Sequence, residues 1–131
     1  MQRGMRLVIA ALVMTTFGCP HGSGTATDPG QLQPQAAPVT VYVTNNYQSA
    51  MEIYAVGGGT SYRLGTVAPG VPRHFELRPG MIATGGQVQF VAQATGAGPR
   101  VQSDQLVLAP GDIVDFEITT NLVGSHATVR P

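Results

Sequence analysis

Few residues in this chain could do chemistry, and their spacing separates them. The histidines are His21, His74 and His126, and no cysteine or carboxylate shares a ligand-like spacing with them. A zinc or catalytic role needs such partners, so they read as exposed polar residues and no metal is expected. The serines Ser23, Ser49, Ser61, Ser103 and Ser125 fall in segments that read as loops or turns. None occupies a G-x-S-x-G elbow, so no activated nucleophile is visible. Asp104, Asp112, Asp115 and Glu117 gather carboxylates near the C-terminus, but not at the spacing of a calcium loop. Asp115 and Glu117 alternate on one strand face, as solvated strand residues do. Gly57-Gly58-Gly59 lacks the following helix and the lysine of a phosphate cradle, and the chain contains no lysine. It reads as a hairpin loop. No acid–base or nucleophile set emerges, so the chain is not expected to be an enzyme, and no cofactor is implied.

Four tyrosines remain: Tyr42, Tyr47, Tyr54 and Tyr62. Tyr42 and Tyr54 alternate with apolar residues, so each points away from the apolar stripe of its own strand. If those two strands pair as a hairpin, both rings reach one exposed side. Exposed tyrosines make a flat recognition surface for sugar, peptide or protein. The same residues are also ordinary strand formers with a wet rim.

Cys19 is the single cysteine of the chain. Met1 to Arg6 carries two positive charges, and LVIAALVMTTF follows from Leu7 to Phe17 as an apolar run. This is the layout of a secretory leader, and the run is too short for a bilayer-spanning helix, which needs ~20 residues. Thr16-Phe17-Gly18-Cys19 resembles the lipobox of bacterial lipoproteins. Gly18 and Cys19 match it, while Thr16 and Phe17 depart from the usual leucine and small residue. The resemblance implies cleavage before Cys19 and a diacylglycerol on its thiol. It would also explain a solitary cysteine in an oxidising compartment. Pro20 stands where some lipoproteins carry an inner-membrane retention aspartate, which leans toward outer-membrane delivery.

The segment PHGSGTATDPGQLQPQAAP, from Pro20 to Pro38, has no apolar periodicity. It cannot bury enough surface to offset chain entropy, so residues 19–38 read as lipidated cysteine plus flexible tether. Fully stretched, the tether reaches ~60 Å at ~3.4 Å per residue.

From Val39 the texture changes to short alternating segments. VTVYVT (39–44) is a strand with Val39, Val41 and Val43 inward. Asn45 to Ser49 supplies a polar turn. MEIYAV (51–56), YRLGTV (62–67), RHFELR (73–78), QVQFVAQA (87–94), QLVL (105–108) and IVDFEIT (113–119) follow, and a weaker strand covers 126–130. Residues 80–86 have room for one helical turn. Phe75, Phe90 and Phe116 are the bulky core candidates. Short strands at regular spacing, with Gly and Pro between them, predict an all-β antiparallel sandwich of about seven strands over 39–131. A barrel of similar strand count is the alternative. The bulk numbers agree: Gly (17) and Pro (10) are plentiful, charged residues are 11%, and the net charge is +0. The seven basic residues are all arginines and form no patch after Arg6, which excludes nucleic-acid binding.

The run NNYQSAMEIYAVGGG, then YRLGTV, HFELRPG, VQFVAQATG and VLAPGDIVDFEI, resembles a group of small, uncharacterised bacterial envelope lipoproteins. The likeness covers most of 39–118 and rests on turns and core positions. It implies a secreted β-sandwich and carries no activity or site residues. The expectation is therefore a lipid-anchored protein of the cell envelope, on the outer membrane facing the periplasm or the surface. Its partners would be the membrane, through the lipid, and an envelope protein or glycan. A structural or protein-binding role is one reading. A carbohydrate-type ligand module is the other.

Overall fold

The computed structural model describes residues 36–82 and 85–130. The leader expected over 1–18, Cys19 and the expected tether as far as residue 35 lie outside the described residues. Within them the chain is all-β, with strands β1 (Val39–Asn45), β2 (Met51–Gly57), β3 (Thr60–Val67), β4 (Arg73–Leu77), β5 (Gln87–Ala94), β6 (Arg100–Val107), β7 (Ile113–Ile118) and β8 (His126–Arg130). They form two four-stranded sheets, β4-β1-β7-β8 and β3-β2-β5-β6. The expected sandwich is present. One pair inside it, β1 with β7, runs parallel.

The alternation read from the sequence builds the core. Val41, Val43, Val114, Phe116 and Ile118 point inward from the first sheet; Met51, Ile53, Ala55, Val88, Phe90 and Ala92 point inward from the second. Phe90 and Phe116 meet across the two sheets, with ring centroids 6.1 Å apart and planes tilted by 37°. Phe75 is only half-buried, because β4 is an edge strand. Its ring lies in the seam between β3 and β4. There the Arg73 guanidinium sits 5.9 Å over it and donates to the Thr66 carbonyl (3.0 Å), tying one sheet to the other.

Several local expectations are corrected. Asn45 belongs to β1 rather than to a turn, and it is fully buried. Its Nδ2 donates to the carbonyls of Ser49 (2.9 Å) and Val67 (3.0 Å), and its Oδ1 accepts the Tyr47 N–H (3.0 Å). That side chain therefore joins the end of β1, the crossing to the second sheet and the end of β3. β6 begins at Arg100, five residues before the expected strand. Phe90 faces both Ser103 and Asp104, a bulge, and the Ser103 hydroxyl takes the Phe90 N–H (2.9 Å) that the bulge would leave unpaired. Ser103 is thus a buried strand residue, not a loop serine, and Ser61 also lies in a strand. The described part of 80–86 is turn and bend: the Met81 N–H bonds to the Arg78 carbonyl (3.1 Å). The domain's contacts start just before β1, where the Ala37 carbonyl accepts the Gly111 N–H (3.2 Å).

Candidate functional site

Sheet membership separates the tyrosines. β1 and β2 are consecutive but lie in different sheets, so Tyr42 and Tyr54 face opposite sides of the sandwich and the shared hairpin surface does not form. Tyr42 is 44% exposed on the outer face of the first sheet, with the His74 ring 5.9 Å away. Tyr47 packs against the core from the β1–β2 connection. Tyr62 pairs with Ala55, whose side chain points inward, so it lies on the inner side of β3 and is half-buried. Tyr54 stands on the outer face of the second sheet, and of the four it alone has a hydrogen-bonded hydroxyl among the described residues.

The candidate chemistry elsewhere is dispersed in the same way. His74 is on β4 and His126 on β8, the two edges of one sheet, separated by three strand spacings of ~4.8 Å each. Three of the four carboxylates have local work. Asp112 accepts the Ala109 N–H (2.7 Å) in the β6–β7 turn. Asp115 takes two bonds from the Arg130 guanidinium (2.5 and 2.9 Å), and Glu117 accepts from Asn46 (3.3 Å). Asp104 lies on β6 in the other sheet. Among the described residues, no three His, Cys, Asp or Glu side chains converge at metal-holding distance.

The outer face of β3-β2-β5-β6 has the most organised arrangement. The registers place Thr66, Glu52, Gln93 and Arg100 in one row across the strands. Arg63, Tyr54, Val91 and Gln102 form the next row. Ser61, Val56, Gln89 and Gln105 form the third. At the centre, the Tyr54 hydroxyl donates to Glu52 Oε2 (2.9 Å), and Arg63 Nη2 donates to Glu52 Oε1 (2.8 Å) and to Thr66 Oγ1 (3.2 Å). Glu52 is two residues away on the same strand, ~7 Å along it. The 2.9 Å bond therefore needs the two side chains to lean toward each other along β2, and Tyr54 is half-buried there. Val91 points outward beside it, yet is only 2% exposed.

The electrostatics follow from this clamp. The Arg63 hydrogen bond, and next the Tyr54 hydrogen bond, hold the Glu52 carboxyl below its ordinary range. The same Glu52 bond pushes the Tyr54 phenol up. The phenol therefore stays a neutral donor at ordinary pH, and the Glu52–Arg63 charges cancel locally. Two dents open on this face. One, of about 160 Å³, lies between Tyr54, Ser61, Val91, Gln93 and Arg100. The other, of about 360 Å³, runs from Val56, Gln89 and Gln105 to the hairpin Gly57–Gly59. Gly58 and Gly59 hold φ of 58° and 79°, the conformation of a tight two-residue hairpin turn that favours glycine. With no side chains there, the end of the second dent stays open.

The glutamines of this face are the residues that a tyrosine-centred reading of the sequence passes over. Their signal is the alternation in QVQFVAQ, where Gln87, Gln89 and Gln93 occupy the positions opposite the Val88, Phe90 and Ala92 stripe. The long edges of this sheet are unsuited to adding a strand. β3 is bulged at Leu64, where the register shifts between Ile53 and Tyr54, and β6 at Ser103–Asp104.

No protein-family model and no curated protein matches this chain. Among solved structures, the chain is similar to one titled "NMR structure of the protein from Eubacterium rectale", at 10% identity and a TM-score of 0.46, over 70% of this chain and 87% of that one.

Proposed function

We propose that this chain is a lipid-anchored protein of the cell envelope with a non-enzymatic recognition role. Cys19 carries the lipid, the segment to Pro38 spaces the domain from the membrane, and the outer face of β3-β2-β5-β6 meets an envelope component. The outer membrane is the proposed site of attachment, facing the periplasm or the surface. The observation that carries the reading is the Tyr54–Glu52–Arg63 clamp at the centre of a polar sheet face. An aromatic ring held in one orientation gives up little freedom on binding, which is the benefit of preorganisation. The bulged long edges favour recognition through a face over strand addition. The dispersal of His74, His126 and the carboxylates offers no set for proton transfer.

The anchor is tested by the intact mass of the protein recovered from its native envelope. The expected product begins at Cys19 and carries a diacylglycerol, and Cys19→Ser leaves the protein in the soluble fraction. An unlipidated chain cut elsewhere would overturn the anchor.

A further inference from the structure

We propose that the outer face of β3-β2-β5-β6 binds an uncharged glycan chain, with the Tyr54 ring as the platform and the glutamine amides as its hydrogen-bonding partners. This rests on the recognition reading above and names the class of ligand. Gln89 donates one amide bond to the Ser103 carbonyl (2.7 Å). Gln87, Gln93, Gln102 and Gln105 make no side-chain hydrogen bond among the described residues, although they share the face. Each primary amide brings two donors and an acceptor. A sugar hydroxyl is likewise donor and acceptor at once, so the two groups satisfy each other without any net charge.

The charge on the face selects against other ligands. Glu52 and Arg63 neutralise each other, which leaves Arg100 as the one unpaired guanidinium of the three rows among the described residues. A polyanion needs several such groups. The opposite outer face differs in kind: the registers put Glu76, Asp115 and Glu117 there against Arg130. A neutral, hydroxyl-rich chain therefore fits the amide face. The shape agrees. From Gln93 to Gln87 the face follows β5 for ~20 Å at ~3.4 Å per residue, with the two dents lying in sequence along it. Val91 lines the first dent but is almost fully covered, so the Tyr54 ring is the apolar surface offered to the carbon face of a sugar ring.

The test titrates the intact lipidated protein in detergent micelles with two neutral probes, a β-1,4-linked glucose hexamer and a β-1,4-linked N-acetylglucosamine hexamer. A sulfated polysaccharide serves as the charged control. Binding is read by calorimetry and by the side-chain amide signals in nitrogen-15 spectra. The expected result is saturable binding of at least one neutral hexamer, with shifted glutamine amide signals and little dependence on salt. Tyr54→Ala weakens it at least tenfold. Gln102→Ala and Tyr54→Phe, which leave the core untouched, weaken it severalfold. Thr128→Ala on the other face leaves it unchanged. Absence of binding by both neutral hexamers overturns the glycan assignment, as does binding of the sulfated chain alone. A photo-crosslinking residue at Gln105, used in the native envelope, separates the two levels of the argument. A specific protein adduct there, with no neutral glycan bound, removes the ligand class and keeps the face as a recognition surface. No adduct and no glycan removes both.

Discussion

Asn45→Ala should be the most damaging single polar change in this domain. The Asn45 side chain is fully buried and makes three hydrogen bonds, at 2.9, 3.0 and 3.0 Å. Its orientation is set by its partners: the Tyr47 N–H requires an acceptor, and the two carbonyls require donors. Removing it takes a hydrogen bond from the buried Val67 carbonyl, which costs ~1–3 kcal/mol. The Ser49 carbonyl and the Tyr47 N–H are partly reached by water and add ~0.5–1.5 kcal/mol each. The sum is about 4 kcal/mol, against a total stability of ~5–15 kcal/mol for a typical domain. Equilibrium urea unfolding measures it, followed by far-ultraviolet circular dichroism because the chain has Trp 0. At a slope of ~1–2 kcal/mol/M, the midpoint should fall by about 2–4 M. Asn45→Asp sharpens the test. It keeps an acceptor for Tyr47 but loses both donors, and burial raises the folded carboxyl's pKa above its unfolded value. Its penalty should therefore grow as the pH rises through and beyond the ordinary aspartate range of ~4. A loss below about 1 kcal/mol for Asn45→Ala would refute the reasoning that this side chain closes the end of the sandwich.

Two further changes probe the seam and the clamp. Gly65→Ala would place a Cβ 2.6 Å from Phe75 Cε1, so the ring must shift and stability should fall by ~1–3 kcal/mol; combining it with Phe75→Leu should lessen the loss that the added methyl causes, and an unchanged melting temperature in the single variant would count against the contact. Glu52, with its pKa lowered from 4.5 by Arg63 first and Tyr54 second, contributes stability above that value and loses it as pH falls through the folded pKa. Tyr54, with its pKa raised from 10.0 by Glu52, contributes fully below that value and loses its contribution as pH rises through the folded pKa. Glu52→Gln should accordingly bring Tyr54 phenolate absorbance in at lower pH than in the unaltered protein, with Tyr54→Phe assigning the signal. An unmoved onset would show that the carboxylate does not hold the phenol.

Most strands were legible because strand identity is a local property. Alternation in VTVYV, MEIYA and IVDFEI requires only that one face be apolar, and the intervening Gly and Pro mark the turns. β6 was half hidden for a physical reason. Its inward positions are Val101 and Ser103 before the bulge but Leu106 after it, with Leu108 continuing that phase just past the strand, so the period slips by one and the N-terminal half reads as loop. Asn45 misled in the opposite sense, because a polar residue before a polar turn looks like part of that turn. Its burial depends on carbonyls from Ser49 and Val67, the second of them 22 residues away.

The amino-acid sequence by itself determined the all-β class, most strand positions, the core stripe and the lipobox-like context of Cys19. Each of these depends on neighbours within a few positions, where side-chain periodicity and short motifs act. Tertiary structure alone decided which strands share a sheet. β1 pairs with β4 and β7, and β2 pairs with β5, through ladders between segments far apart in the chain, whereas β2 and β3 form the local hairpin. That choice sent Tyr42 and Tyr54 to opposite faces. It also lined up the glutamines of β5 and β6 around Tyr54, because a face is made by register between strands and no single strand contains it.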